Sequence, residues 1–381
     1  VEIENAEEIL RGLAEKNLFV QSYYDEKKGW LFRYHQLFRG FLRAKFKLEV
    51  GDEGRRLYLI KAGQLYEQRG ELENAVKYFL EAKAYPQAVL VIERLGMALL
   101  RGGRKDDVAQ WLRRVPEKIV KDNPWLLLYE AMTRRFQAGK ENIAAIEKAY
   151  TLFKQKGDTK GILLSLARLI EVAIPIGIQL TPLEQLIKEA ETIIESPDSD
   201  RYQEEKAVLW YCIGNGHISG GDIRKGIWAS QNASLIAKKL GDRWLQASAM
   251  TISMLGFIHV GEFALADEAA QEIEKVIWEG VYPEHRAQQL LFQCILATYQ
   301  GDFAKADALA ERLQTEIEKN GFLFLYPWVY MALGELMLGR GEFKETEEMV
   351  NRLLNAAISF QNAHLKGLAF NLLGSIYLNQ G

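Results

Sequence analysis

The sequence predicts an all-α solenoid of stacked helix pairs, preceded by a small domain of another kind. Three observations predict it. Gly221, Gly261, Gly301, Gly341 and Gly381 form a ladder with a rung every 40 residues. Upstream of each rung, large and small residues recur at helical spacing. The first fifty residues carry neither signal. Of the 381 residues, 48% are hydrophobic, which is the content of a folded chain.

Each of the first four ladder glycines is followed by an acidic residue and then Ile or Phe: Asp222-Ile223, Glu262-Phe263, Asp302-Phe303 and Glu342-Phe343. Glycine adopts left-handed backbone cheaply and so ends one helix. The acidic residue favours the positive end of the next. Five residues after the glycine stands a small residue (Gly226, Ala266, Ala306, Thr346), which lets two helices approach closely. The preceding helix reads Trp210, Ile213, Gly214, His217, and in the last rung Phe370, Leu373, Gly374, Tyr377. An i, i+3, i+4, i+7 set lies on one helix face. These are the spacings of the tetratricopeptide repeat, lengthened from its usual 34 residues. A tetratricopeptide-like, right-handed α-superhelix with a period of about 40 residues is therefore expected. Looser units surround Gly70, Gly103, Gly139 and Gly177, with Pro182 near a helix start; the glycines there are 33, 36, 38 and 44 residues apart. Trp210, Phe257, Phe263, Phe303, Phe343 and Tyr377 are read as core.

In the first fifty residues, 5–16 form an amphipathic helix. Leu18 to Tyr24 and Trp30 to Tyr34 form two strands about the turn Asp25 to Gly29, and a helix follows from Gln36. Helix, hairpin and helix is the latter part of a winged-helix domain. The expected division is 1–50 for the end of that domain, 51–122 for irregular helical repeats and 123–381 for the regular superhelix.

The segment GWLFRYHQLFRGFLRAKF resembles the winged-helix end of the MalT-like regulators, large ATP-binding members of the LuxR class within the STAND group (signal transduction ATPases with numerous domains). NPWLLLYEAMTRRFQAGK, from Asn123, resembles the phrase that opens their helical sensor. The resemblance implies a regulatory protein whose repeat sensor takes a small inducer or a protein effector; two lone cysteines in so long a chain make no disulfide framework, which points to a reducing cytoplasm. Binding loosens an ADP-bound resting state, ATP replaces ADP, and the protein self-associates and activates transcription. Tyr34-His35-Gln36-Leu37 resembles by position the Met-His-Asp motif of related proteins, so His35 is the candidate contact to a nucleotide phosphate; Tyr and Gln replace Met and Asp.

This chain itself is expected to be neither an enzyme nor a nucleic-acid binder. It has no G-x-x-x-x-G-K-[ST] phosphate loop, so ATP and ADP belong to a longer protein, of which the chain reads as a piece that opens on Val1 and stops in mid-repeat. No cofactor and no metal is assigned to it. Its five histidines are scattered and its two cysteines, Cys212 and Cys294, are isolated. GNGHISGGD, from Gly214, lies at a helix end and not between a strand and a helix. Net charge is −3, without the basic patch that nucleic acid demands. No apolar run reaches membrane-spanning length.

A ligand is expected on the wall lined by the first helix of each unit. From the motif's first large residue, wall positions lie two before it and one, five, eight and nine after it. Among them Tyr211, Asn215, Ser248, His259, Gln288, Tyr299, Trp328 and Glu335 supply aromatic faces and oriented polar groups, the makeup of a ligand groove. Ser253 and Gln293 stand at apolar core positions, where they either bond locally to backbone, the favoured reading, or line a polar cavity. Two functions fit: a sensor binding a small inducer, or a scaffold binding a peptide or protein. The scarcity of charge on the wall favours the first.

Overall fold

The structure is a computed structural model and describes residues 5–26, 29–134, 140–176, 180–277, 283–360 and 362–380. It divides into two compact units, Val1–Thr133 and Arg134–Gly381. The turn glycines Gly139, Gly177 and Gly381 lie outside the described residues.

In the first unit, α1 (Ala6–Glu15) packs on a two-stranded antiparallel hairpin, β1 (Val20–Asp25) and β2 (Gly29–Tyr34). Its register runs from Val20 opposite Tyr34 to Asp25 opposite Gly29. Helix α2 (Gln36–Gln68) is interrupted at Gly51, whose φ of 67° and ψ of −179° no helix contains. Phe19 and Phe38 stack at 5.0 Å, joining the hairpin to the start of α2. Then come α3 (Leu72–Glu81), α4 (Tyr85–Arg101), α5 (Lys105–Leu112), α6 (Glu117–Asp122) and α7 (Pro124–Thr133). The phrase beginning at Asn123 supplies α7, which packs on α4 and α5. The Tyr129 hydroxyl donates to the Glu93 carbonyl at 2.8 Å, and its ring lies where a Cβ on Gly96 would stand.

The second unit opens with α8 (Lys140–Lys156), α9 (Thr159–Ile176) and α10 (Leu180–Ile194), followed by a 3-10 turn at Pro197–Arg201. The regular pairs are α11 (Gln203–Gly220) with α12 (Ile223–Leu240), α13 (Arg243–His259) with α14 (Phe263–Val276), and α15 (Pro283–Tyr299) with α16 (Phe303–Asn320). After a 3-10 turn at Leu323–Leu325 come α17 (Tyr326–Gly339) with α18 (Phe343–Ser359), and α19 (Ala363–Gln380).

The rungs behave as their chemistry requires. Gly221, Gly261, Gly301 and Gly341 have φ of 92°, 75°, 78° and 77°. Asp222 and Asp302 cap the next helix, accepting from the backbone N–H of Lys225 at 3.4 Å and Lys305 at 3.1 Å. Glu262 and Glu342, one methylene longer, make no such bond. Gly226, Ala266, Ala306 and Thr346 are buried where paired helices cross.

The core reading holds for Trp210 and Phe257, which are buried, and for Phe263, Phe303 and Phe343, which pack partly buried against it. Tyr377 is a correction. It is 63% exposed, because the face of α19 on which it stands has no described helix beside it. Ser253 bonds locally as expected, its hydroxyl donating to the Ala249 carbonyl at 3.2 Å. Gln293 does not: its amide reaches across to the Glu274 carboxylate at 3.4 Å, a partner on α14 that the longer side chain can meet.

Candidate ligand-binding wall

Six helices of the second unit, α9, α11, α13, α15, α17 and α19, pack consecutively on one another, and α19 packs back on α9. We call these the inner helices. The outer helices α10, α12, α14, α16 and α18 make no comparable packing with each other among the described residues. Helices that touch on one side of an array and diverge on the other curve it towards the touching side. The inner helices therefore form a closed circuit with the wall on its inside. Helix α9 sits at the join, with neighbours α8, α10, α11 and α19. Accordingly every residue from Leu163 to Ile170 is buried, including Arg168.

The wall positions separate into two kinds. One and eight residues after the reference, Thr251, Leu291 and Met331 and then Ile218, Ile258 and Thr298 are buried, the interval at which neighbouring inner helices meet. Two before and five after the reference, Val208, Gln288, Trp328 and Leu368 and then Glu171, Asn215, Leu255, Glu335 and Ser375 remain partly exposed. At nine after, His259 and Tyr299 are exposed. No lysine or arginine occupies these last three rows.

Of the eight expected ligand residues, Asn215, Gln288, Trp328, Glu335, His259 and Tyr299 thus lie in the open rows. Tyr211 is half-buried against the core formed by α9 to α13. Ser248 is 5% exposed, its hydroxyl donating to the Trp244 carbonyl at 2.9 Å and lying 2.6 Å from Nε2 of His285. His285 is itself 2% exposed, with its ring edge-on to Trp244 at 5.1 Å. Ser248 therefore ties α13 to α15, and this contact explains its burial.

The structure adds residues that the spacing did not bring forward. His364 of α19 approaches Trp328 of α17, ring centroids 5.9 Å apart. Burial, and then the proximity of His259 on α13, hold the His364 imidazole below its ordinary pKa. Extending the wall rule by one further helical turn, to six before the reference, reaches Trp244 and His364. Glu171 falls in the open row of α9 and is bonded by Arg168.

Tyr299 and Glu335 meet across neighbouring inner helices, the Tyr299 hydroxyl donating to Oε1 of Glu335 at 3.2 Å. Oε2 of Glu335 is shielded from solvent and has no hydrogen-bond partner among the described residues. Burial pushes this carboxyl up to about 7, against the smaller lowering effect of the Tyr299 bond. Desolvation, with the Glu335 carboxyl beside it, raises the Tyr299 phenol, although the residue as a whole stays 51% exposed. Cys294 is buried, donates to the Ala306 carbonyl at 3.4 Å and is pushed up to about 12, so its thiol is inert at neutral pH.

In the first unit His35 precedes α2 in the N-cap position but makes no side-chain capping bond. Its own backbone N–H donates to the Phe19 carbonyl at 2.7 Å. The residue is exposed beside a shallow apolar concavity with Phe19, Leu37, Phe38 and Phe41. No group of three or more His, Cys, Asp or Glu residues is arranged to hold a metal ion among the described residues. No described helix is long and apolar enough to cross a membrane.

Residues 1–54 match the MalT winged helix domain. This N-terminal region is a MalT-like winged helix. Over 98% of its length the chain superposes, at a TM-score of 0.59 and 14% identity, on a Signal Transduction ATPase with Numerous Domains (STAND) protein with a tetratricopeptide repeat sensor from Pyrococcus horikoshii. It spans 55% of that protein's chain. A second match is a Rap protein complexed with Competence and Sporulation Factor, at TM-score 0.50 and 12% identity, covering 86% of this chain and 82% of the other. At such identities the likeness establishes the tetratricopeptide-like fold alone. Comparison with curated proteins gives no match. The chain thus joins a region that matches the MalT winged helix domain to a tetratricopeptide-like helical scaffold.

Proposed function

We propose that the chain is the effector-sensing region of a STAND-type, ATP-dependent transcriptional activator, and that the inner wall of its second unit holds the effector. The observation that carries this reading is the closed circuit of inner helices, whose inward rows keep Asn215, Gln288, Trp328 and Glu335 partly exposed. Polar and aromatic side chains left uncovered inside a packed helical array are the ordinary equipment of a ligand site. On this reading the chain works by binding an effector, and any catalysis belongs to the longer protein. In the longer protein, bound nucleotide changes from ADP to ATP on activation, the protein self-associates in the cytoplasm, and His35 contacts a nucleotide phosphate.

The effector is read as a small inducer because the open rows are short on charge. A peptide or protein effector is the second reading, favoured by the likeness to a Rap protein solved with a bound factor. A thermal-shift screen of metabolites and short peptides against the whole chain tests both. A ligand at 100 times its dissociation constant adds about 2.7 kcal/mol of stability. Trp328→Ala is expected to abolish the shift while leaving cooperative unfolding intact. A ligand whose effect survives that substitution, and equally Gln288→Ala, binds elsewhere and overturns the reading.

A further inference from the structure

Glu335 is an acidic group without a basic counterpart. Tyr299 from α15 occupies Oε1, and Oε2 is shielded and unpartnered among the described residues. The groups around it are few. Helix α15 contributes Tyr299 and the inert Cys294. Asp307 of α16 is engaged by Arg340. The buried face of α18, formed by Thr346, Met349, Val350 and Leu353, carries nothing titratable. Helix α19 brings His364, held towards its neutral form by burial and by His259 of α13.

The open rows of the inner wall contain Glu171 and Glu335 but no lysine or arginine, so an anionic guest would find no counter-ion in them. Arg168 of α9 is buried and bonded to Glu171 through Nη1; its Nε and Nη2 are buried and unpartnered among the described residues, but it stands two residues after Leu166, outside the open rows. Trp328 lies seven residues before Glu335 on the same helix face, ~10 Å along the axis at 1.5 Å per residue. Aromatic faces attract cations and cover apolar chains equally well.

We propose that Glu335, flanked by Tyr299, receives a protonated amine of the effector, whose apolar remainder runs along α17 to Trp328. This rests on the reading that the inner wall holds the effector, and it narrows that effector to a primary amine, either a small polyamine or the free N-terminus of a peptide. Docking an ammonium beside the carboxyl drives it to ionise. Binding therefore expels the proton that Glu335 carries in the empty wall.

The test is titration calorimetry of the whole chain at pH 7 in buffers of different ionisation heat. The probes are spermidine, a pool of short peptides with free N-termini, and the same pool N-acetylated. An amine-bearing probe is expected to bind with release of about half a proton, since the carboxyl titrates at about 7. Acetylation is expected to weaken the peptide arm at least tenfold. Glu335→Gln, which keeps the side chain's shape, is expected to abolish proton release and weaken binding at least tenfold. Tyr299→Phe, which preserves the carboxyl, keeps the release and guards against a misfolded first variant. Failure of both amine probes overturns the inference. So does a ligand that depends on Trp328 yet releases no proton and ignores Glu335→Gln, although that result leaves the sensing role standing. Binding that also survives Trp328→Ala and Gln288→Ala removes both.

Discussion

Glu335 couples the proton to the fold. Its carboxyl is raised from an ordinary 4.5 to about 7, so the folded chain binds a proton that the unfolded chain has already lost. Stability on this account is undiminished below pH 4.5, falls as pH rises towards 7, and is level beyond. The loss is about 1–3 kcal/mol at one to two units of effective shift. Glu335→Gln is expected to flatten that slope in urea titrations across the same interval, and an unchanged slope would show that the group is hydrated in the native chain. His364 pulls the other way. Its depressed imidazole withholds a proton that the unfolded chain takes up, so stability falls as pH drops below its ordinary 6.5. Between pH 4.5 and 6.5 the two effects act in opposite directions on stability. Neither was legible as such: the sequence put Glu335 on the wall, but only the approach of Tyr299 and the shielding of Oε2 reveal an isolated carboxyl.

At the scale of elements, the glycines do two different jobs. Where α11 crosses α12, a Cβ on Gly226 would stand 2.4 Å from Cγ1 of Ile218 and 2.9 Å from the Gly214 carbonyl. Gly226→Ala is expected to cost about 1–3 kcal/mol, the usual penalty of overpacking. Gly367 of α19 would meet nothing within 4 Å. There the same change is expected to stabilise by about 0.5–1 kcal/mol through backbone entropy alone. Denaturant midpoints of the two variants moving in the same direction would refute the close crossing.

The helices were largely readable because each rung combines a turn glycine, an acidic neighbour and a small residue five positions on. A second set of stops went unread. Gly241 and Gly321 end α12 and α16 in left-handed conformation, half a period after their rungs. The wall was readable as a face but not as rows. Helical spacing tells that Ser248 and Asn215 point alike; it cannot tell that Ser248 lies against His285, because that depends on how closely α13 and α15 approach. Tyr377 shows the converse limit. Its spacing is that of a core residue, yet burial needs a neighbour as well as a pattern.

For the second unit as a whole, closure of the inner circuit is the property that no local pattern encodes. It accumulates from a small rotation at every pair until α19 reaches α9. Hydrogen exchange offers a direct check. Amides from Leu163 to Ile170, on the helix enclosed from all sides, are expected to exchange only through global unfolding, while the last turn of α19 exchanges through local fraying. Protection in α9 no greater than in α19 would mean that the circuit opens readily in solution.

The meeting of α9 and α19 has a kinetic meaning. A coil with free ends lets a visitor slip in sideways anywhere along its length, and lets it leave as easily. Once the first and last turns touch, the doorway narrows to the two mouths of the tube, or to a moment when the seam parts. How long the signal persists after its source has gone is then governed by the strength of that seam, and not by the grip of the wall alone.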